Sequence, residues 1–197
     1  MLRKNQTRLI LASTSRYRKE LLERLCIPFS VHKPEVDETP FAGETPAQLC
    51  ERLAILKAET IAEQFPNALV IGSDQAVDLD GQILGKPGNY ERAMKQLKMM
   101  SGKTVTFQTA IAVVHMTNDF AQTRRIEVKV QFRTLIEAEI DRYLRTEEPY
   151  DCAGSAKSEG LGITLLEAIH NPDPTALIGL PLIATASLLR ATGLQLP

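Results

Sequence analysis

The stretch "NALVIGSDQ" (67–75) joins a continuous apolar run to a polar end, and this combination guides the interpretation of the fold. A short unbroken apolar run is typical of a strand that is buried on both faces of a sheet. The run leads to Asp74, and in α/β sheets ligands bind beyond the carboxyl ends of the strands. Asp74 is therefore a candidate site residue, although aspartate is also an ordinary turn residue at a strand end.

The remainder of the chain alternates between strand-like and helix-like patterns. Strand patterns occur at 8–12, 29–33, 104–116 and 126–133, and two short runs around Asp80-Gly81 indicate a hairpin. Helical patterns cover residues 16–25, 45–65, 90–100, 136–146 and 181–192. The helix at 45–65 has the clearest start, because Thr45, Pro46 and Gln48 form a capping signature. These patterns predict one domain, residues 1–197, of α/β or α+β class around a mixed sheet.

Composition excludes several classes of function. The 23 basic and 24 acidic residues leave a net charge of −1, and only 5% of residues are aromatic, which argues against a nucleic-acid-binding module and against an anionic membrane surface. The cysteines, Cys26, Cys50 and Cys152, are widely separated, which fits a reducing compartment rather than a disulfide scaffold or zinc site. The apolar run after the basic N-terminus is shorter than a signal peptide requires, so we expect a cytoplasmic protein.

The turn "ASTSRYRK" (12–19) follows a predicted strand and opens a predicted helix. Such a turn directs free backbone N–H groups and the positive end of the helix toward one spot, where anions bind. Arg16, Arg18 and Lys19 add positive charge beside it. The alternative is a helix capped by Ser15 and flanked by solvated basic residues.

Two lysines and an acidic loop complete a candidate site. Lys57 falls on the apolar face of the helix at 45–65, so it either extends to solvent or reaches an anion at the edge of the core. Asp37 and Glu38 lie in a proline- and acid-rich loop that is either solvated or functional, and Lys86 follows Gly85 after the hairpin. Two carboxylates that hold a divalent ion, with lysines and an arginine that hold a polyphosphate, are typical of phosphoryl chemistry.

Several motifs together resemble the Maf family of nucleotide pyrophosphatases. They are "LILASTSRYRKELL", "VDET", "RLAILKA", "IGSDQAV", "GKP", "CAGSAKSEGLG" and "IGLPL", and they follow the family in order and spacing over nearly the whole chain. The resemblance implies an elongated, two-lobed α/β fold with a central cleft, related to inosine triphosphate pyrophosphatase. It also implies hydrolysis of a nucleoside triphosphate to the monophosphate and diphosphate, with Mg²⁺ or Mn²⁺ as cofactor.

The resemblance also assigns roles to individual residues. Asp74 matches the proton acceptor and, with Glu38, the metal site. The positions that match phosphate-binding residues are Ser13, Arg18, Lys57 and Lys86.

Three positions indicate a branch of the family. The turn departs from the common S-x-S-P-R-R pattern, since Arg16 replaces the proline and Tyr17 the first arginine; Gln75 and Glu159 also differ from the branch that hydrolyses dTTP and UTP. An aromatic residue, Gln and Glu resemble the branch that hydrolyses 7-methyl-GTP, which usually has tryptophan in place of Tyr17. A cationic methylated base would be attracted by an aromatic face and a carboxylate. Alternatively, Tyr17 packs on its helix and Glu159 caps its loop.

Other functions remain as alternatives to this interpretation. A dTTP/UTP pyrophosphatase is the alternative within the family. The family's association with inhibition of septum formation leaves a regulatory protein as an alternative of another class. We expect a nucleoside triphosphate as the substrate and neither a nucleic acid nor a membrane as a partner, while a monomer and a homodimer both stay open.

Overall fold

A computed structural model describes residues 8–197 and contains a seven-stranded mixed sheet. The basic residues at 1–7, which belong to the N-terminal pattern considered for a signal peptide, lie outside the described residues. The strands are β1 (Leu9–Ala12), β2 (Phe29–His32), β3 (Leu69–Leu79), β4 (Gln82–Leu84), β5 (Thr104–His115), β6 (Phe120–Phe132) and β7 (Leu166–His170). Their order is β2-β1-β3-β5-β6-β7, and β4 pairs with β3. The predicted mixed α/β fold is confirmed.

The central strand β3 is longer than its sequence indicates. It was expected to end at Asp74, but it continues without interruption to Leu79, so the expected strand end is wrong. The reason is a change of neighbours: β3 pairs with parallel β1 only as far as Gly72, and with antiparallel β4 only from Val77. Antiparallel β5 supports it on the other side from Val70 to Asp78. Asp74 therefore lies where one edge of β3 is free of both partners.

Helices cover both faces of the sheet. They are α1 (Arg16–Glu23), α2 (Pro46–Gln64), α3 (Tyr90–Met100), α4 (Glu137–Glu147) and α5 (Leu182–Ala191). One apolar cluster joins α2 to the sheet, and a second joins α1 and α5 to the opposite face. A third cluster joins α3 and α4 to the far end of β3 and to β4. The first two clusters form one lobe and the third cluster forms the other, and the two lobes meet along β3. In residues 8–197 we find no helix that is both long and apolar enough to cross a bilayer.

The contact between α2 and β3 is unusually close. The predicted capping box is confirmed, since the Thr45 side chain accepts from Gln48 N and the Gln48 side chain accepts from Thr45 N. Further along α2, a Cβ atom added at Gly72 would lie 2.1 Å from the Ala54 carbonyl oxygen and 2.7 Å from Ala58 N. Only glycine leaves room for the helix backbone here. This contact sets the height of α2 above the sheet.

One strand is absent from the sequence pattern, and one strand begins earlier than expected. The edge strand β7 was not predicted, because "LEAIH" is short and mixed in polarity, and it is ordered by pairing with β6. β6 begins at Phe120 rather than at 126, because its polar first half forms a ladder with β5 at a mostly exposed end of the sheet. The expected hairpin at Asp80-Gly81 is confirmed, and both residues have positive φ, 54° and 85°.

Candidate active site

One cleft of about 970 Å³ between the two lobes contains every residue to which the resemblance assigns a role, whereas Asp37 and Lys19 do not line it. One wall comes from the turn before α1, from the acidic loop and from α2. The other comes from the β4 end and the segment at 151–159, and the free edge of β3 forms the floor. The selected residues that line it are Ser13, Tyr17, Arg18, Glu38, Lys57, Asp74, Gln75, Lys86 and Glu159.

Lys57 forms the centre of a charged triad. Its Nζ lies 2.6 Å from Asp74 Oδ1 and 2.6 Å from Glu38 Oε1. Lys57 is only 4% exposed, so the alternative in which it extends to solvent is wrong. Asp74 is 8% exposed, whereas the Glu38 side chain is 61% exposed. An ammonium group in this position avoids the cost of an unpaired buried charge, because both carboxylates compensate it.

The acidic loop contributes Glu38, and Asp37 has a different role. Asp37 Oδ1 accepts a hydrogen bond from Thr39 N at 2.9 Å, which shapes the loop. Burial raises the pKa of Glu38, but the hydrogen bond from Lys57 and the charges of Lys57, Lys86 and Arg18 outweigh burial and leave that pKa below its ordinary value. Glu38 is therefore ionised throughout the neutral range.

In the turn before α1, the predicted cap is confirmed and the residues of the predicted anion site lie close together. Ser15 caps α1, since its Oγ accepts from Arg18 N at 3.4 Å. Ser13 Oγ accepts from Ser15 N at 3.1 Å and lies 3.5 Å from an Arg18 guanidinium nitrogen. Burial lowers the pKa of Arg18, while the carboxylates of Asp74 and Glu38 oppose that shift. The helix start thus presents a hydroxyl and a partly buried guanidinium group to the cleft.

A turn at 176–179 supplies carbonyl oxygens to three residues of the site, one on α1 and two on β3. Arg18 Nε donates to Gly179 O at 3.0 Å, and the Ser73 hydroxyl lies 2.9 Å from the same oxygen. Gln75 Nε2 lies 3.1 Å from Ala176 O and 3.0 Å from Leu177 O. The turn begins two residues before the motif "IGLPL" (178–182) and overlaps its first two residues, and no side chain signals its role. Only its carbonyl groups contact the site, so the sequence analysis did not identify it.

Tyr17 links the two walls of the cleft. Its hydroxyl donates to Asp151 Oδ1 at 3.3 Å and accepts from Arg16 at 2.6 Å. The Arg16 guanidinium also lies over the Tyr17 ring, 4.7 Å from its centroid. Burial raises the pKa of Tyr17 to about 12, so the hydroxyl stays protonated. The alternative in which Tyr17 only packs on its helix is wrong, and Asp151 is a contact that the sequence analysis missed.

Glu159 lies on a loop that is anchored away from the cleft. Lys157 Nζ donates to Glu147 Oε1 at 2.6 Å, and the Leu161 backbone N–H donates to Glu147 Oε2 at 2.7 Å. Both contacts are made by α4, and they hold the loop on either side of Glu159. Glu159 itself is exposed and lines the cleft.

The carboxylates of Glu38 and Asp74 fit a metal ion that is bound together with substrate. Among the residues from 8 to 197, no group of three histidine, cysteine, aspartate or glutamate side chains is placed to hold a metal. Glu38 and Asp74 each direct one oxygen to Lys57 and keep a second oxygen for another ligand. Mg²⁺ is usually bound by one or two carboxylates together with waters and substrate phosphates. The two carboxylates match that pattern.

Carboxylates and cations that converge in a cleft are typical of enzymes that act on phosphate anhydrides. The family model described as Maf-like protein matches residues 8–192, so the chain belongs to the Maf family. The resemblance found in the sequence is confirmed.

Close relatives share nearly the full length of the chain. A 7-methyl-GTP pyrophosphatase of Polaromonas sp. (strain JS666) is 60% identical over 188 residues, which are 95% of this chain and 86% of that protein. A 7-methyl-GTP pyrophosphatase of Albidiferax ferrireducens is 60% identical over 190 residues and 96% of each chain. Among solved structures, the Staphylococcus aureus Ham1 protein matches 65% of this chain and 73% of its own at 16% identity, with a TM-score of 0.47. A Mycobacterium abscessus nucleoside-triphosphatase (dITP/XTP pyrophosphatase) matches 95% of this chain and 97% of its own at 16% identity, with a TM-score of 0.46.

Proposed function

We propose that this protein hydrolyses 7-methyl-GTP to 7-methyl-GMP and diphosphate. The observation that carries the proposal is the triad in which Lys57 Nζ lies 2.6 Å from both Asp74 and Glu38, in a cleft that Tyr17 and Glu159 also line. The names of the relatives from Polaromonas and Albidiferax, both 7-methyl-GTP pyrophosphatases, support the same substrate.

In the proposed reaction, Asp74 is the proton acceptor. A water molecule attacks the α-phosphorus, its proton passes to Asp74, and the bond from that phosphorus to the bridging oxygen breaks to release diphosphate. Lys57 orients Asp74, because its ammonium group holds one carboxylate oxygen and leaves the other for the water. Rigid placement in the middle of β3 suits a base that must meet the water in one geometry.

Cationic residues around the triad are proposed to hold the triphosphate. Arg18 and Ser13 contact it from the helix start, and Lys86 contacts it from the exposed end of the hairpin segment. Glu38 and Asp74 would hold Mg²⁺ or Mn²⁺, which when bound neutralises charge on the phosphate oxygens. Lys57, Arg18 and Lys86 balance Glu38 and Asp74 with one positive charge to spare, so the site is suited to a polyanion.

The base is proposed to lie between Tyr17, Gln75 and Glu159. One ring face of Tyr17 is covered by Arg16, so the base stacks on the other face. The Glu159 carboxylate accepts a hydrogen bond from the Ser158 hydroxyl at 3.4 Å, has no salt bridge within residues 8–197, and is exposed to the cleft. A carboxylate attracts the positive charge of N7-methylguanine and accepts from the two N–H donors on its Watson–Crick edge.

Diphosphate release from a panel of 7-methyl-GTP, GTP, UTP and dTTP, with and without Mg²⁺ or Mn²⁺, tests the proposal. We expect kcat/KM for 7-methyl-GTP to exceed the others by at least roughly tenfold, and hydrolysis to require the metal. A preference for UTP or dTTP would instead identify the pyrimidine branch of the family.

Asp74→Asn tests the assignment of the base. We expect kcat to fall by at least about 100-fold. Asp78→Asn is the matched control, because Asp78 lies on the same strand and face but accepts from Gly81 N at the hairpin, which asparagine also does. Full activity of Asp74→Asn would remove Asp74 from the mechanism.

A further inference from the structure

The two N–H groups of the Gln75 side-chain amide share three acceptors, which hold the amide in one orientation. Nε2 lies 2.9 Å from Thr109 Oγ1, in addition to its contacts with the carbonyl oxygens of Ala176 and Leu177. Carbonyl oxygens only accept, so a flipped amide would direct its own oxygen against them. The nitrogen of the amide therefore faces the turn at 176–179.

Thr109 completes this arrangement from the neighbouring strand β5. It is fully buried, pairs with Gln75 across the sheet, and donates its hydroxyl proton to Ala176 O at 2.9 Å. With its proton committed to Ala176, the hydroxyl of Thr109 presents a lone pair to Gln75 Nε2. Its contact with Nε2 is also the shortest of the three.

The carbonyl oxygen of Gln75 is left for the cleft. Within residues 8–197 it has no hydrogen-bond partner, and no buried side-chain oxygen or nitrogen there lacks a partner, so this oxygen is accessible to solvent. Gln75 is half-buried and lines the cleft, so that access is from the cleft side.

We propose that Thr109 is a positioning residue which directs the carbonyl oxygen of Gln75 into the cleft, and that this oxygen selects the methylated base over guanine. The inference rests on the proposed function. Unmethylated guanine presents a lone pair at N7, which an oxygen acceptor repels. N7-methylation replaces that lone pair with a positively charged edge whose C–H groups an oxygen attracts. An amide in the opposite orientation would donate to N7 and favour GTP.

Thr109→Val is the principal test. Valine keeps the shape of the side chain and removes the hydroxyl group, which both accepts from Gln75 Nε2 and donates to Ala176 O. We expect the ratio of kcat/KM for 7-methyl-GTP to that for GTP to fall about fivefold, the size of one net hydrogen bond. Thr109→Ser should restore the ratio to within about twofold, since it keeps the hydroxyl. Thr185→Val is the matched control, because Thr185 in α5 is also fully buried and its hydroxyl donates to Pro181 O, just before that helix.

A double-mutant cycle shows whether Thr109 acts through Gln75. Gln75→Met removes the oxygen from a half-buried side chain and should lower the ratio at least as much as Thr109→Val. In the Gln75→Met background, Thr109→Val should cause no further loss. The relative affinities for 7-methyl-GMP and GMP, measured by calorimetry, should change in parallel, which separates base recognition from hydrolysis.

If the wild-type protein hydrolyses 7-methyl-GTP and prefers it to GTP, three results would overturn the inference. These are an unchanged ratio in Thr109→Val, an unchanged ratio in Gln75→Met, and additive losses in the double variant. If Thr109→Val does not fold, Gln75→Met alone decides the role of the oxygen. A wild-type protein that does not hydrolyse 7-methyl-GTP, or does not prefer it to GTP, would refute the proposed function itself.

Discussion

Gly72→Ala offers a demanding test of how the fold positions the site. The added Cβ would lie 2.1 Å from Ala54 O and 2.7 Å from Ala58 N, and both atoms belong to the helix backbone. Neither atom can rotate away as a side-chain end would, so α2 has to move by about 1 Å or more. Overpacking of this kind costs about 3 kcal/mol, which lowers the unfolding midpoint of a chain of this length by roughly 6 to 12 °C.

The same displacement should disturb the chemistry. Lys57 lies on α2 and Asp74 on β3, so a shift of the helix separates an ion pair whose atoms are 2.6 Å apart. A misplacement of about 1 Å can reduce kcat by about 100-fold. Thermal unfolding followed by circular dichroism and diphosphate release measure the two effects. Gly85→Ala is the control for stability, because its Cβ would meet no atom within 4 Å. A Gly72→Ala protein with an unchanged midpoint and full activity would refute the reasoning.

Three further predictions concern individual charges. Lys57→Met should reduce kcat/KM at least about 100-fold and destabilise the fold by roughly 2 to 3 kcal/mol in urea titrations, since it leaves Asp74 without its buried partner; stability equal to wild type would contradict this. The hydrogen bond from Arg52 lowers the pKa of Glu44 from 4.5 to about 2, so this group stabilises the fold above pH 4.5 and loses that effect as the pH falls toward 2; Glu44→Gln should therefore show a shallower loss of stability over that window in urea unfolding, and an equal slope would count against it. Glu159→Gln should raise KM for 7-methyl-GTP more than KM for GTP, whereas equal changes would argue against charge pairing with the base.

The sequence predicts the residues of the site better than it predicts how they are held. Lys57, Asp74 and Lys86 were candidates on local pattern alone, whereas Tyr17, Gln75 and Glu159 were assigned through the resemblance to the family, and all six line one cleft. Lys57 is a candidate because a cation on the apolar face of a helix needs either solvent or an anionic partner. The identity of its partners depends on the height of α2 over the sheet, and no local pattern encodes that distance.

The contacts that the sequence does not reveal are mostly made by the backbone or by ordinary residues. The carbonyl oxygens at 176–179 leave no mark in residue types, and Thr109 is one threonine within a typical strand. The continuation of β3 past Asp74 was also missed, because β1 and β4 support different parts of the same edge. Such features arise from pairing between distant segments.

Adjacent residues of β3 point to opposite sides of the sheet, so Asp74 meets α2 while Gln75 meets the turn at 176–179. The proposed proton acceptor and the proposed reader of the base are neighbours in the chain that line one cleft but are held by different elements. Substitution of Gln75 itself can therefore alter which nucleotide is accepted, while the contact of Asp74 with Lys57 on α2 keeps its alignment. Related proteins with this strand could differ at the Gln75 position and accept different nucleotides, while Asp74 and the reaction it serves stay the same.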